Sequence, residues 1–285
     1  MESLINCLKV KKLTKYSLIQ LNTGCSPDKS YQILEKYIIK AVSNGSKLVC
    51  TPETTNIMEI RNTALFEKIY TEREDPYLEK ILHLAKDLNI WINIGSWIVK
   101  DKKNKASNRT FLINSDGLIH ARYNKIHLFD VEISKKEKYF ESKTYSSGDK
   151  AVITKTPFGS FGLTICYDLR FPYLYRDLAN KGAEIIFVPS AFTFETGKAH
   201  WHALLQARAI ENGCYIVAAA QNGLHENKRK TYGHSVVIDP WGKIIAEKKS
   251  GTGLLNFEVD LQKVKNARIR IPSLNEQKKY KIISK

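Results

Sequence analysis

Short apolar runs rich in Ile, Val and Phe alternate along this chain with longer amphipathic stretches, and few folds accept that pattern. Each apolar run suits one strand, and each amphipathic stretch has a single stripe to bury, so strands and helices must pack as layers of an α/β fold. Tyr16–Leu21 reads as a strand. A helix follows to Asn44, with Ser26 as N-cap, Pro27 in the first turn and Gly45 as stop, and with Ile33, Leu34, Tyr37, Ile38 and Ala41 at helical spacing. Lys47–Cys50 is a second strand, Pro76–Leu88 a second helix and Ile90–Trp97 a third strand. Asn108–Ile113 and Ile119–Tyr123 form a hairpin around Ser115-Asp116-Gly117. Ile133–Lys150 reads as a long polar loop. The succession then returns: strand Phe161–Ile165, helix Pro172–Asn180, strand Glu184–Pro189, helix Ala199–Asn212 stopped by Gly213, strand Cys214–Ala220. A last hairpin, Ser235–Asp239 and Lys243–Ala246, turns at Pro240-Trp241-Gly242.

The same order occurs once in each half, which predicts internal pseudo-symmetry without a sequence repeat. No linker or low-complexity segment interrupts it. The expected organisation is an extension over residues 1–15, one domain over 16–272 and a tail over 273–285, the Lys-rich stretch after Val259 wrapping over the surface or a partner subunit. A chain of 285 residues has length enough for a sizeable core. No apolar run approaches a membrane span, and Met1–Lys15 lacks the apolar core and cleavage site of a secretory signal. The formal net charge is +16, but its lysines are scattered (Lys9–Lys12, Lys100–Lys105, Lys135–Lys138, Lys228–Lys230, Lys278–Lys281) and not interleaved with aromatics as RNA recognition requires. A solvated basic surface without a nucleic-acid partner is the expectation.

Five cysteines, Cys7, Cys25, Cys50, Cys166 and Cys214, are odd in number and widely spaced. No C-x-x-C occurs, so neither a zinc site nor a redox pair is signalled, and free thiols in a reducing, cytoplasmic compartment are expected. Cys166 falls where a buried strand ends and the chain turns into a helix. That places a side chain at the sheet rim, near backbone N–H groups that favour a thiolate and an oxyanion. Placement alone leaves it divided between a nucleophile and a small buried apolar residue. Glu53 follows the strand Lys47–Cys50, where partial burial would raise its pKa toward that of a general base. Lys125 follows another strand and suits an oxyanion donor, although most of the many lysines must be solvated. Glu141 lies in the long loop. His127, His200, His202, His225 and His234 supply equally plausible bases for a Cys–His dyad. His200 and His202, two apart on a helix, point about 200° apart and cannot share a metal.

Three stretches around these candidates resemble a known family. Thr51-Pro52-Glu53, Tyr123-Asn124-Lys125-Ile126-His127-Leu128-Phe129-Asp130 and Gly162-Leu163-Thr164-Ile165-Cys166-Tyr167-Asp168-Leu169-Arg170-Phe171-Pro172 resemble, in this order, the three signatures of the nitrilase superfamily of carbon–nitrogen hydrolases. The resemblance implies a four-layer αββα sandwich that assembles into a homodimer or higher homo-oligomer. It implies an amidase that needs no metal or cofactor and takes a small amide as its partner. Its catalytic group would fall on Glu53, Lys125 and Cys166, with Glu141 assisting and the Tyr167 backbone N–H at the oxyanion. Ser147 stands where the family usually has proline before the glycine that is here Gly148. Ser190-Ala191-Phe192-Thr193, the stretch His200 to Asn212, Ala218-Ala219-Ala220-Gln221 with His225, and Tyr232-Gly233-His234-Ser235 with Asp239-Pro240-Trp241-Gly242 resemble the amidase branches that act on 2-oxo acid amides, most of all the deaminated glutathione amidase branch. The ω-amidase branch, which takes 2-oxoglutaramate and 2-oxosuccinamate, shares the earlier of these stretches. For such a substrate Arg170 is the expected carboxylate partner, unless it pairs with Asp168, and Phe192 and Thr196 are expected to line the site. The rival readings are an aliphatic amide or N-carbamoyl-amine hydrolase, or a silent binding module, which would be expected to have lost one of Cys, Glu and Lys.

Overall fold

The chain builds two six-stranded sheets, and the two have the same arrangement of parallel and antiparallel strands. In the computed structural model, which describes residues 13–101, 105–135, 137–276 and 278–284, the first half runs β1 (Thr14–Gln20), α1 (Pro27–Ser43), β2 (Leu48–Cys50), α2 (Asn62–Lys68), α3 (Pro76–Asp87), β3 (Trp91–Lys100), β4 (Ala106–Ile113) and β5 (Ile119–Asn124). A small hairpin, β6 (Asp130–Glu132) and β7 (Lys138–Phe140), leads into the second half. There follow β8 (Val152–Thr156), β9 (Gly159–Leu163), α4 (Pro172–Asn180), β10 (Ile185–Phe187), α5 (Phe194–Asn212) and β11 (Tyr215–Ala218). A second small hairpin, β12 (Asn222–Leu224) and β13 (Lys230–Tyr232), precedes β14 (Ser235–Ile238), β15 (Ile244–Lys248), β16 (Gly253–Val259) and α6 (Gln262–Arg270). The two six-stranded sheets have the orders β16-β1-β2-β3-β4-β5 and β8-β9-β10-β11-β14-β15. In each, three parallel strands joined through helices are flanked by an antiparallel edge strand on one side and an antiparallel pair on the other. This is the expected pseudo-symmetry.

The period of two along each strand builds the layers. Leu18, Leu48, Cys50 and Trp91 pack with Phe161, Leu163 and Ile186 of the other sheet. Their neighbours Ile19, Val49, Ile92 and Ile94 face Leu34 and Ile38 of α1 and Leu78 and Ile81 of α3. Leu174 and Leu178 of α4 and Trp201 and Leu205 of α5 pack in the core of the second sheet. Helix, sheet, sheet, helix is the αββα sandwich. No helix among the described residues is long and apolar enough to cross a membrane.

The helix ends follow the sequence chemistry. Ser26 accepts from Lys29 N at the start of α1, and Asp75 accepts from Tyr77 N and Leu78 N at the start of α3. Elsewhere the structure departs from the sequence reading. Ile33 is 45% exposed, because the buried stripe of α1 runs through Tyr31, Leu34, Ile38 and Ala41. α5 starts at Phe194, five residues before Ala199, capped by the Thr193 hydroxyl. It passes through Gly197 because a Cβ there would collide with the Tyr232 ring. The long loop carries β7 and a 3₁₀ turn, Glu141–Lys143. The stretch after Val259 is not simply a surface wrap: it forms α6, which buries Val264 and Ala267 and sends Arg268 to the carbonyls of Ala183 and Asn212. The expected extension lies outside the described residues through position 12, Cys7 with it, and Thr14 and Lys15 already belong to β1.

Candidate active site

The carboxyl ends of β2, β5, β9 and β10 deliver Glu53, Lys125, Cys166 and Ala191 to one rim, where open α/β sheets place their sites. The path of β2 is set by a glycine. Gly95 on β3 lies so close under the Thr51 carbonyl that no Cβ fits, and its N–H bonds to the Thr51 hydroxyl at 3.0 Å. The chain can therefore turn over β3 and send Glu53 inward. Cys166 closes the exit of β9 with φ +48°, a left-handed conformation that costs a residue with a Cβ about 1–2 kcal/mol. Its N–H is anchored on the Pro189 carbonyl at 2.9 Å, and a 3₁₀ turn, Cys166–Arg170, begins there. Asp168 secures that turn by accepting from Ile165 N at 2.8 Å and the Tyr123 hydroxyl at 2.7 Å. Tyr167 N–H stands in the first turn, where helical N–H groups lack intrahelical partners.

The charged groups form one buried network. Lys125 Nζ donates to Glu53 Oε1 at 2.8 Å and to Glu141 at 2.8 and 3.0 Å. Asn108 of β4 donates to Glu53 Oε1 at 2.9 Å and to Glu141 Oε1 at 3.3 Å, tying the two carboxylates together. Glu53 Oε2 accepts from Ala191 N at 2.9 Å, and Glu141 Oε2 from Phe129 N at 2.6 Å. Ser147 replaces the expected proline without loosening the loop: its hydroxyl bonds to the Ile126 carbonyl at 2.6 Å, and Gly148 N to the Lys125 carbonyl at 2.8 Å.

Protonation follows from that network. Burial would raise Glu53, but the charge and hydrogen bond of Lys125, the hydrogen bond from Cys166 and the charge of Arg229 together hold its carboxyl below the ordinary value. Burial would lower Lys125, and the charges of Glu141 and Glu53 outweigh it, so the ammonium persists. The Cys166 thiol is pushed far up by burial and then by the Glu53 charge, against the pull of Lys125. Two sequence expectations are thereby corrected. The pKa of Glu53 is depressed, not raised, because Lys125 touches it. Cys166 rests as a thiol, because a thiolate would be a second uncompensated negative charge beside Glu53 and Glu141 with only Lys125 between them.

No histidine hydrogen-bonds to Cys166 among the described residues. His127 Nδ1 lies 2.7 Å from Asp168 and Nε2 2.7 Å from the Tyr173 hydroxyl, its ring stacked on Phe171. His225 is held between the Thr23 carbonyl and the Thr231 hydroxyl, and burial pushes it down to about 4. His200 meets Arg170. His202 and His234 share Glu247 at 2.8 and 2.6 Å, a group close enough to hold a metal ion, but none of the three lines the cavity.

The cavity over Cys166 has a volume of about 290 Å³, near the small end of ligand sites. Glu53, Lys125, Glu141 and Cys166 form one part of its lining. Met58, Phe129, Tyr139, Phe140 and Phe192 give it apolar walls, and Thr196 and Arg229 add polar groups. Arg170 is not among the lining residues. Its guanidinium lies over the Tyr167 and Phe192 rings, and Asp168, its possible ion-pair partner, is engaged elsewhere. Sequence reasoning missed Asn108, Ala191 and Arg229.

A family model described as carbon-nitrogen hydrolase matches residues 15–269. The chain is similar to a Dictyostelium discoideum protein named deaminated glutathione amidase, 40% identical over 96% of this chain and 97% of the relative. Among solved structures it resembles the Caenorhabditis elegans NitFhit protein, at 37% identity and a TM-score of 0.86 over 93% of this chain and 65% of that one. It also resembles Saccharomyces cerevisiae Nit3, described as a member of branch 10 of the nitrilase superfamily, at 31% identity and a TM-score of 0.81 over 91% of this chain and 94% of that one.

Proposed function

The chain belongs to the carbon–nitrogen hydrolase family of the nitrilase superfamily, and from that premise we propose that it is an amidase that cleaves a small 2-oxo acid amide through a thioester on Cys166. The observation that carries the reading is the pairing at rest of a neutral thiol with an ionised Glu53, bridged by Lys125 to Glu141. Proton transfer and attack occur together. Glu53 takes the Sγ proton as sulfur bonds to the amide carbon, and the oxyanion forms between Lys125 Nζ and the Tyr167 N–H. The carbon–nitrogen bond then breaks, Glu53 gives its proton to the leaving nitrogen, and the acyl group stays on sulfur. Water replaces the amine. Glu53 takes the water's proton, Glu141 and Asn108 hold the network in place, and collapse releases the acid and returns the proton to Cys166. None of these steps requires a metal or organic cofactor.

Deaminated glutathione is the substrate favoured, since relatives 40% and 38% identical over nearly the whole chain carry the name deaminated glutathione amidase. Thr196 and Phe192 would contact the substrate. Arg170 would have to leave its seat over Phe192 to do so. The test is amine or ammonia release from deaminated glutathione, 2-oxoglutaramate, a simple aliphatic amide and an N-carbamoyl amine, by wild type and Cys166→Ala. Fastest turnover of deaminated glutathione, lost in Cys166→Ala, is expected. A preference for 2-oxoglutaramate would make the enzyme an ω-amidase. Turnover of none would leave a silent module, and turnover retained by Cys166→Ala would overturn the mechanism.

A further inference from the structure

The packed arginines divide by their partners: Arg176 and Arg268 bond to carbonyls outside the cavity lining, and others pair with carboxylates. Arg109 and Arg122 both pair with Glu72, and Arg208 pairs with Glu211 and the Leu169 carbonyl. Arg229 lines the cavity and has no carboxylate within ion-pair distance among the described residues. Its Nη2 donates to the Ala191 carbonyl at 2.5 Å, its guanidinium lies 5.2 Å from the Tyr139 ring centre, and its Nε is buried with no hydrogen-bond partner. The other charges of the lining are neutralised in place. Lys125 serves Glu53 and Glu141, Lys138 pairs with Glu132, and Glu59 pairs with Arg61 and Lys68.

The position of this cation is fixed relative to the nucleophile. Ala191 turns its N–H to Glu53 and its carbonyl to Arg229, so one residue's backbone separates the buried carboxylate beside Cys166 from the guanidinium. The turn joining β12 and β13 holds Arg229 from the other side: its N–H bonds to Asn227 Oδ1 at 2.9 Å, and its carbonyl accepts from His225 N at 2.9 Å. A planar fork held in this way matches a carboxylate, and a cation half-buried without a counter-charge is completed by one.

We propose that Arg229 binds a carboxylate of the substrate and makes the cavity select small amides that carry one over neutral amides of the same size. The proposal rests on the amidase reading and adds to it the side chain that recognises the anion. It has a catalytic corollary. Arg229 helps to hold Glu53 down, so a bound carboxylate cancels that charge and leaves Glu53 the stronger base when substrate is present.

Two pairs of probes of equal heavy-atom count place the carboxylate: succinamate against 4-methylpentanamide for the acyl side, and N-butyrylglycine against N-isobutylbutyramide for the amine side. Wild type is expected to favour the charged member of at least one pair. Arg229→Met is expected to lower that preference in kcat/KM at least tenfold, mainly through KM, and Arg229→Lys to recover part of it. The pair that responds shows which side carries the anion. A wild type indifferent to charge, or a preference unchanged in Arg229→Met, overturns the proposal. Calorimetric titration of succinamate and N-butyrylglycine into Cys166→Ala, with and without Arg229→Met, decides the point without turnover. Binding at least tenfold weaker in the double variant supports the assignment, and equal or undetectable binding to both proteins overturns it. Charged probes that bind through Arg229 but are never hydrolysed would overturn the amidase reading alone.

Discussion

Replacing Glu53 by Gln separates its proposed role as proton acceptor from its effect as a charged neighbour of the thiol. The side chains have nearly the same shape, so the sheet rim survives, but the hydrogen-bond accounts no longer balance. Oε1 accepts from Asn108 and Lys125, and Oε2 from Ala191 N. Gln offers one oxygen and one NH₂, so in either orientation its amide meets a donor, at a cost of about 1–3 kcal/mol for the buried unsatisfied group. Lys125 retains Glu141, which keeps the loss short of a fully broken buried pair. Turnover should fall far more than stability. Loss of general acid–base transfer costs about 10²–10⁴ in rate, or roughly 2.7–5.4 kcal/mol at about 1.36 kcal/mol per decade. The thiol should respond in the opposite sense. Removing the Glu53 charge and hydrogen bond takes away two of the causes that raise Cys166 and leaves Lys125 lowering it. Iodoacetamide alkylation of Cys166, followed by mass spectrometry across pH, should therefore shift to lower pH in Glu53→Gln while amide turnover collapses. Near-full turnover, or an alkylation profile displaced upward, would refute the reasoning.

Cys166→Gly should be more stable than Cys166→Ala by about 1 kcal/mol, since only glycine adopts φ +48° freely, and the difference should read as roughly 2–4 °C in melting temperature; an equal or higher value for alanine would remove strain from the account. Asp75→Ala removes the cap of α3 and the acceptor of Trp97 Nε1 at 2.7 Å, and should cost about 2–4 kcal/mol in urea unfolding at an unchanged m-value. Because the folded-state pKa of Glu53 is depressed, its contribution to stability is present above its unfolded value near 4.5 and is lost as pH falls through the folded value. If Glu53 sets the acid limb of kcat/KM, that limb should lie below pH 4.5, and Glu53→Gln should lose less stability than wild type over the same acid range; a limb near neutrality would point to another base.

The layered α/β order was legible because strands and helices carry different periods, and the strands at Tyr16, Lys47 and Phe161 are short, mostly apolar and bounded by turn residues such as Asn22, Gly45 and Gly159. Strand-end placement made Glu53, Lys125 and Cys166 candidates, the first and last after strands of the parallel core and Lys125 after the antiparallel edge strand β5, but only the resemblance to the three family signatures brought them together. What escaped depends on contacts distant in sequence. Nothing in Asn108 distinguishes it from any polar residue of a strand until β4 sets it between two carboxylates. Arg229 hides among 45 basic residues until a hairpin turns it into the cavity. β16 exists because it pairs with β1 from the far end of the domain, and α2 buries only Leu65, too little for a readable stripe. The depressed pKa of Glu53 reverses the expectation from burial because Lys125, 72 positions away, sits 2.8 Å from it.

A covalent acyl group on Cys166 is what the proposed mechanism requires, and intact-mass and peptide mass spectrometry of enzyme acid-quenched during turnover of an amide substrate would detect it. The expected result is a mass increment equal to the substrate's acyl group, located on Cys166 and absent from Cys166→Ala. An acyl group found instead on Cys50 or Cys214, or steady turnover by Cys166→Ala, would contradict it.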